Sequence, residues 1–438
     1  MTDTTVNALP PIKRIGSIIG GSVGNLVEWY DWFIYASFSL YFAKAFFPKG
    51  DQTAQLLSAA AVFAVGFLMR PVGAWIMGSY ADRIGRKAAL TLSMLMMCAG
   101  SMIIALTPGF ATIGVAAPII LVLARLLQGL SVGGEYGASA TYMSEVSSKT
   151  HRGFWTSWQY VTMIFGQLMA LATLMLLQSV LPVAALEAWG WRIAFALGGV
   201  LAVVAFYLRS GLVETPAFLK LQAEAAAADP ATAKAGRLAG LLAHPREALM
   251  VIGMTMGGSL AYYAFTTYMQ KFLHNTSGFS KEAATTISAA SLVVFMVLQP
   301  VSGWMSDKLG RKPMLITFGV LGTALSVPIF TQLSHTTDAF SAFLLVSCAL
   351  AILSAYSAIS AVVKAELFPA HVRALGVALP YALANSIFGG TAEYVALWLK
   401  QDGKESWFYF YVSACIAVSL LVYLTMPDTR DKTRILED

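Results

Sequence analysis

The ten residues Gly78–Lys87, GSYADRIGRK, return 225 positions later as Gly303–Lys312, GWMSDKLGRK. Both copies read G-x-x-x-D-[RK]-x-G-R-K, and each is a polar hinge between two long apolar runs. A chain that repeats such a hinge in register is built from two like halves. Its fold has to place the two hinges at matching points.

The apolar runs set the medium. Ile193–Leu208 with its flanks fills about 20 residues almost without charge, the length that crosses roughly 30 Å of hydrocarbon. Over the whole chain 57% of residues are hydrophobic and 12% are charged. A soluble domain carries about 25% charge, so too few charges remain to cover a surface in water. Strand-type alternation is absent, which excludes a barrel. The chain reads as an all-α polytopic membrane protein. Twelve transmembrane helices are expected at about 15–47, 54–80, 89–108, 115–146, 153–181, 191–210, 247–273, 282–306, 313–334, 338–367, 372–399 and 406–426.

Lys and Arg give the sidedness. With the N-terminus inside, twenty basic residues fall on inner segments and seven on outer ones, while Arg70 and Arg125 lie within spans. The positive-inside rule then puts both termini in the cytoplasm. The net charge of +6 follows from topology and needs no nucleic-acid partner. No leader sequence is expected, because the polar start runs into a span too long for one. Cys98, Cys348 and Cys415 sit inside apolar runs and read as small buried hydrophobes.

Three domains are expected: a six-helix bundle over 1–210, a cytoplasmic linker over 211–246 that contains AEAAAADPATAKAG, and a second six-helix bundle with a short tail over 247–438. The halves echo each other beyond the hinge. Gly20-Gly21-Ser22 matches Gly257-Gly258-Ser259, and Arg70-Pro71 matches Gln299-Pro300. Glu145 precedes Arg152 by seven residues, as Glu366 precedes Arg373. Such repeats are typical of transporters whose halves rock about a site near the midplane.

The doubled hinge and Arg125-x-x-Gln128-Gly129 resemble the major facilitator superfamily. Within it, GNLVEWYDWFIYA (24–36), GFLMRPVGAW (66–75) and ARLLQGLSVGGEYG (124–137) resemble the metabolite:proton symporter family, and so do KAELFPAHVRALGVALPYALANSIFGG (364–390) and AEYVALWLK (392–400). The likeness runs end to end. It implies proton-coupled uptake of a dicarboxylate, with 2-oxoglutarate the expected substrate, across a bacterial inner membrane. It also implies a monomer that needs no cofactor.

A charge inside a span costs about 2.5–3.5 kcal/mol on insertion scales, so each one is a candidate for function. Arg70 lies about 18 Å above Asp82 on its helix, near mid-membrane. Arg125 is expected in the outer half. Both suit a carboxylate, which a guanidinium fork binds with two parallel hydrogen bonds. Glu28 and Asp31 share a helix face at i, i+3, together with Asn25, and Glu135 falls near the middle of span four. These three acids are the expected proton carriers, and Asn25, Arg70 and Arg125 the expected substrate ligands. Two Arg against three ionised acids leave a net −1, so anion affinity is expected to rise as the acids load protons. In the second half Tyr262, Phe265 and Tyr268 stand where Asn25, Glu28 and Asp31 stand in the first, and Gln299 stands for Arg70. Tyr262, Tyr263 and Gln299 are therefore expected to supply shape and hydrogen bonds.

Asp82 with Arg86, Glu145 and Arg152, and Asp307 with Arg311, Glu366 and Arg373, form two related clusters expected to gate the inner end. An Asp there has two kinds of partner: a loop Arg or the positive N-terminus of a neighbouring helix. Lys271, Lys400 and Glu393 near the outer ends read as snorkelling anchors, and Trp189 and Trp191 as an aromatic belt. Lys364 lies beside Glu366, with no role legible from the spacing.

Other classes fit less well. The five His are scattered without ligand spacing, so no metal site is expected, and no G-x-x-x-x-G-K-[ST] is present for ATP. The tails are too short for a signalling domain. The remaining alternatives are symporters of citrate, shikimate, or a zwitterion such as proline or betaine.

Overall fold

The computed structural model describes residues 11–84, 86–133, 135–147, 149–210, 241–431, 433 and 435. The expected linker, apart from 241–246, lies outside the described residues. Helices make up nearly all of what is described. Among the described residues eight helices are long and apolar enough to cross a membrane, and Leu92–Leu106 and Ala116–Val132 are shorter apolar helices.

The spans follow the expected order. The first half holds Pro11–Phe46, Gln52–Ile84, Arg86–Leu106, Ala116–Val132 continued by Glu135–Val146, Arg152–Val180 and Trp191–Ser210. The second half holds Pro245–Tyr262 continued by Met269–Asn275, Lys281–Leu309, Arg311–His335, Ala339–Leu367, Ala370–Ala384 continued by Ala392–Gln401, and Glu405–Thr425. We call these spans one to twelve.

Two six-helix bundles result. Span one packs on five and six, two on four, and three on four and six. In the second bundle, seven packs on eleven and twelve, eight on ten, and nine on ten and twelve. Between bundles, five lies along eight and ten, and two lies along eleven. Large apolar side chains such as Trp75, Leu123, Leu176, Val297 and Phe410 stay exposed, as surfaces against lipid require.

Two features were not legible from period alone. Spans seven and eleven each contain a π-helical turn, Tyr263–Thr267 and Asn385–Gly389. The turns meet: a Cβ on Gly389 would lie 2.8 Å from the Tyr263 ring and 2.7 Å from the Asn385 oxygen. The second feature is glycine packing between spans two and four. A Cβ on Gly129 would collide with the Gly66 carbonyl, and one on Gly133 with the Arg70 carbonyl. Small residues spaced by four let two backbones touch. That contact brings Arg70 and Arg125, on opposite helices, to one place. Cys348 departs from expectation and is exposed, while Cys415 is buried.

The Gly129→Ala variant should lose about 1–3 kcal/mol of stability, since the backbone it faces cannot retreat without repacking. Thermal unfolding of purified protein in detergent measures this. A midpoint equal to that of the parent would remove the glycine contact as the cause of the arrangement.

Candidate functional site

Arg70 and Arg125 meet on one indole. The Arg70 guanidinium carbon is 4.3 Å from the Trp32 ring centroid, and that of Arg125 is 4.1 Å from it. Arg70 also faces Phe67 at 4.1 Å and Trp29 at 5.3 Å, and Arg125 faces Tyr35 at 4.5 Å and Phe63 at 5.2 Å. Helix rise places the two arginines at different depths, but the structure brings them to the same ring. Each stacking contact offsets part of the cost of burial, about 2 kcal/mol or more when desolvated. Both residues are almost fully buried. The Nε and Nη2 atoms of each have no hydrogen-bond partner in the protein.

Asp31 is tied to this pair indirectly. Arg125 Nη1 donates to Gln128 Oε1 at 2.8 Å, and Gln128 Nε2 donates to Asp31 Oδ2 at 2.8 Å. Gln128 Nε2 also lies 3.0 Å from Ser101 Oγ, and that hydroxyl donates to Asp31 Oδ1. Gly198 makes the room, since a Cβ there would collide with Asp31 Oδ1. Sequence reasoning gave roles to Asp31 and Arg125, named Gln128 only as a motif residue, and did not name Ser101; neither of these two carries a charge to draw the eye. Glu28 is buried on the same span. The side chains of Asn25 and Glu135 lie outside the described residues.

The second bundle contributes its tyrosines. Tyr263 packs edge-on against Phe67 at 5.1 Å and faces Arg70 and Asn385. Tyr262 lies 6.0 Å from Tyr160 of the first bundle, ring to ring. The Tyr262 hydroxyl and both polar atoms of the Asn385 amide are buried without a partner. Gln299 does not join them. Its Nε2 donates to the Phe295 carbonyl at 3.2 Å, and its Oε1 accepts from Ser357 Oγ at 2.9 Å. Gln299 stands eight residues before Asp307, whereas Arg70 stands twelve before Asp82, so the two occupy different depths.

At the hinge end, Asp307 bridges the bundles. Its Oδ1 accepts from Gly153 N at 2.8 Å and its Oδ2 from Phe154 N at 2.9 Å, the first amides of span five. Arg311 Nη1 donates to Asp307 Oδ1 at 2.7 Å, and Arg311 Nη2 is 3.7 Å from Glu366 Oε1. Thr429 donates to Glu366 Oε2 at 2.6 Å, and Arg373 Nε to the Phe368 carbonyl at 3.2 Å. Arg152 is buried at the start of span five. Gly310 has φ 105°, the left-handed region open to glycine. A Cβ there would also collide with Asp428, the residue that accepts from the amides of Arg311 and Lys312. The side chains of Asp82, Arg86 and Glu145 lie outside the described residues.

The opposite end is closed as well. Lys281 of span eight pairs with Glu187 of the first half at 2.7 Å and reaches the Leu40 carbonyl at 3.3 Å. Gln178 of span five donates to the Tyr41 hydroxyl within the first bundle at 2.7 Å and to Thr285 of span eight at 3.4 Å. Contacts between the bundles are thus present at both ends.

Two outer-end expectations change. Lys271 and Glu393 are not snorkelling anchors. They are buried and paired at 2.7 Å, joining the segments above the two π turns. The π turns shift helix phase and aim both side chains inward, which a steady 3.6-residue period does not reveal. Trp191 is buried against Phe42, Phe46 and Phe195 and is no belt residue, while Trp189 is exposed. Arg192 donates to the carbonyls of Ala105 at 2.8 Å and Thr107 at 2.6 Å, closing the end of span three.

Comparison with known proteins places these features in context. The profile described as "sugar (and other) transporter" matches residues 18–436. The chain is 52% identical to the α-ketoglutarate permease of Escherichia coli (strain K12), over 97% of this chain and 96% of the relative. It is 33% identical to the citrate-proton symporter of Klebsiella pneumoniae, over 86% of this chain and 83% of the relative. The crystal structure of a D-xylose-proton symporter superposes with a TM-score of 0.72 at 18% identity, over 96% and 99% of the two chains, a likeness of fold. The chain belongs to the sugar (and other) transporter family, within the major facilitator superfamily.

Breaking the Lys271–Glu393 pair from one side should cost about 3–5 kcal/mol, because a buried charge is left alone. The double variant Lys271→Met/Glu393→Leu should be less destabilised than either single variant. Thermal unfolding of the three proteins measures this, and losses that simply add would show that the two residues are not coupled.

Proposed function

We propose that this family member is a proton-coupled symporter that takes up a dicarboxylate, 2-oxoglutarate, by alternating access. It works as a multi-pass monomer in a bacterial inner membrane, with both termini and the linker over 211–246 in the cytoplasm. The observation that carries the reading is the cluster of unbonded polar atoms at the bundle interface: Nε and Nη2 of Arg70 and Arg125, the Tyr262 hydroxyl and the Asn385 amide. Buried polar atoms left unpaired cost about 1–3 kcal/mol each. A planar carboxylate satisfies guanidinium donors two at a time. The permease of Escherichia coli, at 52% identity over 97% of this chain, supports the choice of substrate.

Arg70 and Arg125 bind carboxylate, Tyr262, Tyr263 and Asn385 close the site from the second bundle, and Asn25 assists on span one. Gln299 positions spans eight and ten through Ser357 and takes no direct part. Asp31 is the first choice of proton carrier, ahead of Glu28 and Glu135, because it is wired to Arg125 through Gln128. With Asp31 ionised, the relay holds one arm of Arg125. When Asp31 takes a proton, it draws less on the Gln128 amide, and Arg125 is freer to turn to the substrate. Proton and anion are then bound together.

The hinge end forms the inner gate. Asp307, Arg311, Glu366 and Arg373 hold it on the second bundle, with Arg152 at the start of span five. Asp82, Arg86, Glu145 and Arg152 form the related cluster on the first. With this gate and the Lys281–Glu187 contact both closed, the arrangement corresponds to an occluded step of the cycle.

Proteoliposomes with an imposed pH gradient test the reading. Labelled 2-oxoglutarate should accumulate, an uncoupler should abolish accumulation, and succinate should compete better than citrate, shikimate or proline. Strong uptake of proline with no competition by dicarboxylates would replace the substrate. Arg70→Lys should lose about tenfold in apparent affinity, roughly 1.4 kcal/mol. Asp31→Asn should keep downhill exchange but lose accumulation, and full uncoupler-sensitive accumulation by that variant would remove Asp31 as the carrier. Asp307→Asn should slow turnover more than it weakens binding.

A further inference from the structure

Lys364 carries a fully buried amino group whose partners among the described residues are neutral. Its Nζ donates to Ser360 Oγ at 2.7 Å and to the Tyr136 hydroxyl at 3.2 Å. It lies 4.1 Å from the Tyr381 ring centroid and 5.3 Å from that of Tyr136. Those two rings stack at 3.7 Å. Tyr136 belongs to the first bundle, while Lys364 and Tyr381 belong to the second, so the cation sits where the bundles meet.

Two other buried cations of the second bundle are neutralised within the protein. Lys271 has Glu393 at 2.7 Å and Arg311 has Asp307 at 2.7 Å. Among the described residues no carboxylate lies within the 4.0 Å of an ion pair from Lys364. A cation at this depth is costly without a counter-charge. Hydroxyls and ring faces ease that cost without supplying negative charge. An ammonium has three donors, and hydroxyls occupy two of them.

The surroundings point towards the arginine site. Tyr381, whose ring Lys364 faces, is also within electrostatic reach of Arg70 and Tyr263. Tyr381 stands one helical turn before Asn385 on span eleven, and Asn385 meets the Tyr263 ring at Gly389. A dicarboxylate has two negative groups on a short carbon chain, and the arginine pair stacked on Trp32 serves only one of them.

We propose that Lys364 is the second carboxylate anchor of the transport site, holding the end of the substrate distal to Arg70. This rests on the reading of the chain as a dicarboxylate transporter. The substrate then links the bundles, Arg70 from the first and Lys364 from the second. A ligand with one carboxylate leaves either the arginine pair or Lys364 without a counter-charge and is discriminated against.

The test compares 2-oxoglutarate with 2-oxopentanoate, which has the same chain length and lacks the second carboxylate. In proteoliposomes of the wild type, 2-oxopentanoate should inhibit uptake of labelled 2-oxoglutarate weakly. In Lys364→Gln the KM for 2-oxoglutarate should rise about tenfold, and the preference for 2-oxoglutarate over 2-oxopentanoate should fall by a similar factor. Lys364→Arg, which keeps the charge, should retain that preference. A residue that only holds helices together would change the amount or rate of active protein without changing the preference. If Lys364→Gln is not recovered folded, Lys364→Met fills a similar volume and is read in the same way. A wild type that carries 2-oxoglutarate beside a neutral variant with unchanged KM and preference would overturn the assignment of Lys364 alone. A wild type that carries no dicarboxylate would overturn the functional reading, and this assignment with it.

Discussion

Two guanidinium groups stacked on one indole are the constraint around which this structure is arranged. Trp32 can serve Arg70 and Arg125 together only if spans two and four touch backbone to backbone. That contact in turn demands glycine at 129 and 133. Aromatic rings from spans one and two complete the enclosure. The cost of holding positive charge away from water is met mostly by ring faces, not by carboxylates. Ring faces leave the hydrogen-bonding edges of the guanidinium groups unused, whereas a carboxylate would occupy them. The carboxylate-binding role proposed for this pair draws on partners of that kind, which leave those edges to an anion.

The two bundles divide the chemistry unequally. Arg125, Gln128, Ser101 and Asp31 of the first form a continuous hydrogen-bonded relay. The second presents tyrosines, an asparagine and a lysine around two facing π turns. Its strong internal pair, Lys271–Glu393, ties the segments beyond those turns to each other. The repeated hinge thus frames a symmetric shell around an asymmetric interior.

Much of the shell was legible in the sequence. The twelve apolar runs and the doubled hinge set the number of helices and their pairing, because hydrocarbon admits few alternatives to a helix. Arg70, Arg125 and Asp31 stood out because a charge in an apolar run is rare. What escaped notice had physical causes. Gln128 was visible only as a motif residue and Ser101 not at all, since both are neutral and nothing in a hydropathy profile marks their part in the relay. Lys271 and Glu393 lie 122 positions apart, and each follows a π turn that rotates it off the expected face. Asp307 binds backbone amides of span five, partners that no pattern of side chains announces. Gln299 occupied the place of Arg70 in the repeat but not in depth, since the hinge-to-proline distances differ by about one helical turn.

The grip of Asp307 on span five has a consequence for motion. Its two carboxylate oxygens hold the amides of adjacent residues, Gly153 and Phe154, at 2.8 and 2.9 Å. A plane that holds a rigid helix end at two points resists rotation as well as separation, so neither bond is well placed to stretch while the other stays formed. Release of that end is therefore closer to a snap than to a slide, and the protein passes between distinct postures instead of drifting through a continuum.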